Sequence, residues 1–134
     1  MYASQMMHSH PHVKGSVNDA LITSIEASYS CAQACTSCAD ACLGEPMVQQ
    51  LTQCIRLNLD CADICAATGS VATRRSGSND ETIRNMLRTC ADICVLCAEE
   101  CRHHAAVHAH CTICADACIA CAQSCEQALD SMES

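Results

Sequence analysis

Sixteen cysteines in 134 residues carry the chemistry of this chain, and their spacing is regular. Cys31, Cys35, Cys38 and Cys42 follow steps of four, three and four. Cys54, Cys61 and Cys65 follow steps of seven and four, and Cys90, Cys94, Cys97 and Cys101 repeat the four-three-four pattern. Cys111, Cys114, Cys118, Cys121 and Cys125 follow steps of three, four, three and four. At about 100° per residue, each set falls within an arc of about 80° or less on a helix. These are the positions that usually carry the apolar seam of a helical bundle. Here the seam carries thiols, which can bridge as disulfides, bind soft metals or react as nucleophiles.

The elements that must position these stripes are legible from breakers and composition. A first segment runs from about 17 to 43 and stops at Gly44-Glu45-Pro46, a helix-ending signal. A second runs from about 47 to 72, before Arg74-Arg75-Ser76-Gly77-Ser78-Asn79. Asn79 or Asp80 can cap a third, reaching about 103, and a fourth covers about 107–132. His103-His104-Ala105-Ala106 lacks Gly and Pro, so compactness, not local sequence, breaks the chain there. All four segments are rich in helix formers. The fold expected is all-α, an up-down-up-down antiparallel four-helix bundle with a Cys-lined core over 17–134. Residues 1–16, with Pro11, Gly15, His8, His10 and His12, are expected to be a disordered tail that binds Cu(II) or Ni(II) at most adventitiously. Cys-Ala-Asp-x-Cys recurs once per helix, and its Asp40, Asp63, Asp92 and Asp116 lie opposite the stripes, on the outer face. Ser24 and Ser28 continue the first stripe as core fillers.

The chain has no Phe, no Trp and two Tyr, so sulfur must fill much of the interior. No signal-peptide pattern and no membrane span are visible, and a reducing cytosol is expected. The net charge of −8 disfavours nucleic acid and anionic membranes as partners. No nucleophile–base motif, phosphate loop or dinucleotide turn occurs, so no enzyme is expected. Disulfides within a helix are strained, because i,i+4 Cβ atoms stand about 5–6 Å apart where a bridge wants about 3.5–4.5 Å. Iron–sulfur spacing is matched poorly. Four-thiolate zinc sites would each leave a charge of about −2 in the core. Cu(I) is soft and monovalent, and with bridging thiolates it approaches about one ion per Cys in a neutral core. A zinc or cadmium reservoir and a polythiol redox buffer are the alternatives. The buffer needs an exposed, low-pKa thiol.

The stripes with their CxxxC and CxxC spacing, and the His-rich connection leading into His110-Cys111, resemble the cytosolic four-helix-bundle copper storage proteins of bacteria. The resemblance covers residues 17–132. It implies a bundle filled with Cu(I), homo-oligomers (usually tetramers), and storage or detoxification without turnover. A copper chaperone or a cytosolic chelator would be the exchange partner. Asn58 departs from the full stripe, standing where a fourth Cys would complete a four-three-four set. It reads as a hydrogen-bonded core amide before it reads as a core ligand. In an up-down bundle, one end collects Cys42, Met47, Cys101, Cys111, His103, His104, His108 and His110. The other collects Leu21, Ile25, Ile83, Met86, Leu129 and Met132 as an apolar plug. Copper is expected to enter at the His end, where His104, His108, His110 and Met47 offer weaker ligands than thiolate.

Overall fold

The computed structural model describes residues 1–133. It contains α1 (Ala3–Ser9), α2 (Asp19–Leu43), a 3₁₀ turn (Val48–Leu51), α3 (Thr52–Ala72), α4 (Asp80–Arg102) and α5 (Ala109–Glu133). Helices α2 to α5 form a closed antiparallel ring in which α2 packs on α3 and α5, and α4 on α3 and α5. This is the expected bundle, with helix bounds displaced by a few residues at most. Asn18 caps α2, its Oδ1 accepting from the Leu21 N–H at 3.0 Å. Gly44 ends α2 by donating to the carbonyls of Asp40 and Ala41. The break without Gly or Pro also occurs: His103 to Val107 form turns, with the His108 N–H bonded to the His104 carbonyl at 2.9 Å.

Small residues let the helices approach. Ala39, Ala62, Ala91, Ala98, Ala115, Ala122 and Ala128 are all buried beside the stripes. Gly69, the glycine inside α3, serves the same end. A Cβ there would stand 3.0 Å from the Tyr29 ring, whose hydroxyl meets Ser70 Oγ at 3.0 Å. Asp40, Asp63, Asp92 and Asp116 are exposed, as expected of an outer face.

The end opposite the histidines is plugged by Leu21, Ile25, Ile83 and Leu87, each at most 2% exposed. Leu87, not the half-buried Met86, takes the core position on α4, while Leu129 and Met132 pack at the margin. The N-terminal segment departs from the expected disorder. Residues 3–9 are helical, and Ala3 and Met7 are buried against the plug end. A seven-residue helix has little stability of its own. The Ala3/Met7 pair at i,i+4 gives it an apolar edge to dock on α2, a signal outweighed in the sequence by Pro11, Gly15 and the histidines. Of the segment's histidines, His8 Nδ1 meets the Ser4 carbonyl, His10 Nε2 meets Ser76 Oγ, and the His12 ring stands edge-on to His10 at 5.5 Å.

Candidate metal-binding core

All sixteen cysteines are free thiols and at most 1% exposed. Residues three or four apart on one helix meet residues at the same height on its neighbours, so the stripes close into a column of sulfur. Cys31 Sγ lies 3.8 Å from Cys35, 3.7 Å from Cys118 and 4.0 Å from Cys94. Cys65 Sγ lies 3.6 Å from both Cys90 and Cys94, and 3.7 Å from Cys61. Cys90 and Cys121 stand 3.8 Å apart, Cys114 and Cys35 3.7 Å, and Cys54 and Cys101 3.9 Å. Several four-sulfur groups lie within 4.8 Å: Cys31, Cys65, Cys94 and Cys121; Cys31, Cys35, Cys61 and Cys118; Cys35, Cys97, Cys114 and Cys118. Sharing of Cys31, Cys35 and Cys118 between groups makes this a continuous lattice of ligand atoms, not isolated four-ligand cages. Helix placement fixes the Cβ atoms, and small χ1 changes suffice to close a sulfur pair on an ion.

The column ends at the plug side with hydroxyls. Ser28 Oγ lies 3.8 Å from Cys121 Sγ, and Ser24 Oγ donates to the Leu21 carbonyl, both as core fillers. Thr68 plays the matching part on α3, fully buried and donating to the Ile64 carbonyl at 2.7 Å. Sequence reasoning missed Thr68, although it lies three residues beyond Cys65 on the stripe and was open to the same reading as Ser28.

Asn58 is fully buried in the upper half of the column. Its Oδ1 accepts S–H bonds from Cys97 at 3.0 Å, Cys114 at 3.3 Å and Cys101 at 3.4 Å. Its Nδ2 donates to Cys54 Sγ at 3.7 Å. It is therefore a hydrogen-bonded core amide, with its oxygen among three sulfurs. Asn58→Ala removes that acceptor and opens a cavity, and is expected to lower the stability of the reduced apoprotein by about 2–3 kcal/mol. Chemical denaturation under reducing conditions measures it.

At the other end, His110 Nδ1 sits 3.4 Å from Cys38 Sγ and 3.6 Å from Cys111 Sγ. Cys38, Cys42, His110 and Cys111 form a mixed thiol–imidazole group within 4.8 Å. His108 Nδ1 pairs with Glu45 at 2.6 Å, and its ring stacks on His110 at 5.3 Å. His104 Nε2 pairs with Glu100 at 3.0 Å, while His103 is largely exposed, 3.8 Å from the same carboxylate. Met47 is exposed on a cleft of about 330 Å³ that it shares with Gln50, Leu51, His103, His104, Val107 and His108. Of the four residues expected at the mouth, His110 meets the thiols, His108 stacks on it, and His104 and Met47 line the cleft outside. Glu45 and Glu100 went unread in the sequence. Glu45 lies far along the chain from His108, and only the fold joins them.

Electrostatics differ along the column. Burial, with the charges of Cys38 and Cys54, pushes the Cys42 thiol up to about 12, and the same causes raise Cys111. A hydrogen bond from Cys101, helped by Cys54 and His110, holds Cys38 down at about 6, against an ordinary value near 9. Because the folded value lies below the unfolded one, the Cys38 thiolate favours the folded state above about pH 9, and this contribution is lost as pH falls through about 6. Ultraviolet thiolate absorbance of the apoprotein is expected to show one group titrating near pH 6, absent in Cys38→Ser.

Comparison with known proteins agrees with this geometry. Residues 17–130 match the family described as copper storage protein. The copper storage protein Ccsp of Streptomyces lividans, loaded with 10 copper equivalents, is 44% identical, with a TM-score of 0.92 over 96% of this chain and 98% of that one. A cytosolic copper storage protein from Streptomyces lividans carrying five coppers is 48% identical, with a TM-score of 0.82 over 84% of this chain and 93% of that one. The Cu(I)-bound copper storage protein BsCsp3 is 40% identical, with a TM-score of 0.69 over 77% of this chain and 92% of that one. Matched by the family over most of its length, and sharing its fold with a copper storage protein 44% identical to it, this chain belongs to the copper storage protein family.

Proposed function

We propose that the protein stores Cu(I) in the cytosol, binding many ions per chain through the sixteen cysteines of its core, without enzymatic turnover. The observation that carries this reading is a connected run of buried sulfurs at 3.6–4.0 Å, from Cys90 and Cys121 to Cys35 and Cys114, extended towards the histidine end by groups whose ligand atoms lie within 4.8 Å. Among the described residues, no lysine or arginine is buried beside it to neutralise a large negative charge. Monovalent ions on bridging thiolates leave such a core near neutral, whereas four zinc sites would leave about −8 in a low dielectric. A redox buffer would need an accessible thiol, and every thiol here is enclosed. The copper-binding unit is residues 17–134, with α1 as an appendage on its closed end. A homotetramer, and exchange of copper with a chaperone or a small cytosolic chelator, complete the proposal.

Equilibrium dialysis of the reduced protein against equal Cu(I) and Zn(II), followed by metal analysis, tests it. Copper near one per Cys with zinc excluded is the expected result, and a mainly zinc-filled protein overturns it.

Entry at the histidine end follows from the same reading. There the thiols meet His110, and the cleft outside carries His104, His108 and Met47. The double variant His104→Ala/His108→Ala is expected to load several-fold more slowly while reaching the same final copper content, as followed by stopped-flow absorbance. Unchanged loading rates would place entry elsewhere.

A further inference from the structure

Among the described residues, Glu45 is the one carboxylate that reaches both His108 and His110. Its Oε2 stands 2.6 Å from His108 Nδ1 and its Oε1 3.9 Å from His110 Nε2. The two rings are stacked nearly parallel, 15° apart, between the cleft and the Cys38/Cys111 sulfurs. The loop holds the carboxylate there: Gly44 ends α2, the Glu45 N–H donates to the Cys42 carbonyl at 3.2 Å, and Pro46 follows. His110 Nε2 is buried without a hydrogen-bond partner. Such an orphaned nitrogen marks an arrangement that closes only when its ring takes on another role.

We propose that Glu45 is a positioning residue that selects which nitrogen of each entry histidine binds copper. A carboxylate only accepts, so the proton of neutral His108 resides on Nδ1 and its Nε2 lone pair is left for the ion. On His110 the geometry selects the opposite nitrogen. Nδ1 faces Cys38 and Cys111, and when it binds an ion held by those sulfurs the proton resides on Nε2. Glu45 Oε1 is then its acceptor, after a movement of about 1 Å to hydrogen-bond distance. One carboxylate thus prepares two imidazoles in series, Nε2 outside and Nδ1 at the thiols. Carboxylates that orient metal-binding histidines in this way typically change metal affinity or activity 10–100-fold when removed. Transfer is ligand exchange: the copper stays Cu(I), the donor's thiolates leave with protons, and the protein thiols supply them.

This inference rests on the copper-storage reading, and its test separates the two. The reduced full-length protein and its Glu45→Ala and Glu45→Gln variants are loaded with Cu(I) presented as its glutathione complex. Histidine tautomers in the apoproteins are read by long-range ¹H–¹⁵N NMR. The expected result is Nδ1–H on His108 in the wild type, a tautomer mixture in Glu45→Ala, about 10-fold slower uptake in Glu45→Ala and an intermediate rate in Glu45→Gln. Final copper per chain and helix content stay unchanged. Wild-type uptake rates in Glu45→Ala, or unchanged tautomers, overturn the role of Glu45 and leave storage intact. A wild-type capacity far below one ion per Cys overturns storage, whatever Glu45 does.

Discussion

Filling the reduced protein with Cu(I) is expected to raise its melting temperature by more than about 20 °C, starting from an apoprotein that already has its full helix content. The fold is expected to form without the metal. Its thiols are packed and hydrogen-bonded to one another and to Asn58, and Leu21, Ile25, Ile83 and Leu87 close one end. Each ion bound only by the folded state adds about 4 kcal/mol when free copper exceeds its Kd 1,000-fold. Three or four such ions suffice for the shift, since about 1 kcal/mol moves a domain of this size by about 2–8 °C. Circular dichroism of the apo and loaded forms under anaerobic conditions measures both parts. An apoprotein that gains helix on loading would contradict a preformed store.

The second large effect concerns capacity. Replacing Cys31, Cys65, Cys94 and Cys121 together by Ala removes one complete group near the plug end of the column. Capacity is expected to drop by about four ions of roughly sixteen, in proportion to the thiols lost, because each thiolate is shared between ions. The apoprotein is expected to remain folded, less stable by roughly 1 kcal/mol per deleted sulfur. Copper quantification and a reduced-state unfolding curve check the two parts. Undiminished capacity would assign these sulfurs to packing alone.

Much of this was legible because the periodicity of one residue type carried it. The four-three-four steps placed every Cys on an inner face, and the same steps placed Asp40, Asp63, Asp92 and Asp116 outside. Gly44 and Pro46 marked the first turn, and the mouth and plug followed from counting alternate connections. What sequence could not supply was pairing across helices. Glu45 meets His108 through a loop conformation that no spacing encodes, whereas Glu100 and His104 stand four residues apart at the end of α4, a spacing that was open to reading. Helix α1 failed for a related reason. It is held by packing on α2, so local composition, with Pro11 and Gly15 close behind it, pointed to disorder. Leu87 replaced Met86 in the plug because the register of α4 follows Cys90, three residues on, and not residue type alone.

The storage account is tested most directly by titrating the fully reduced apoprotein with Cu(I) anaerobically, against a competing chromogenic chelator. It predicts tight uptake with a break near one ion per Cys, about sixteen per chain. Uptake that ends at one or two ions would contradict a lattice of bridging thiolates and reduce the column to ordinary packing around a single site.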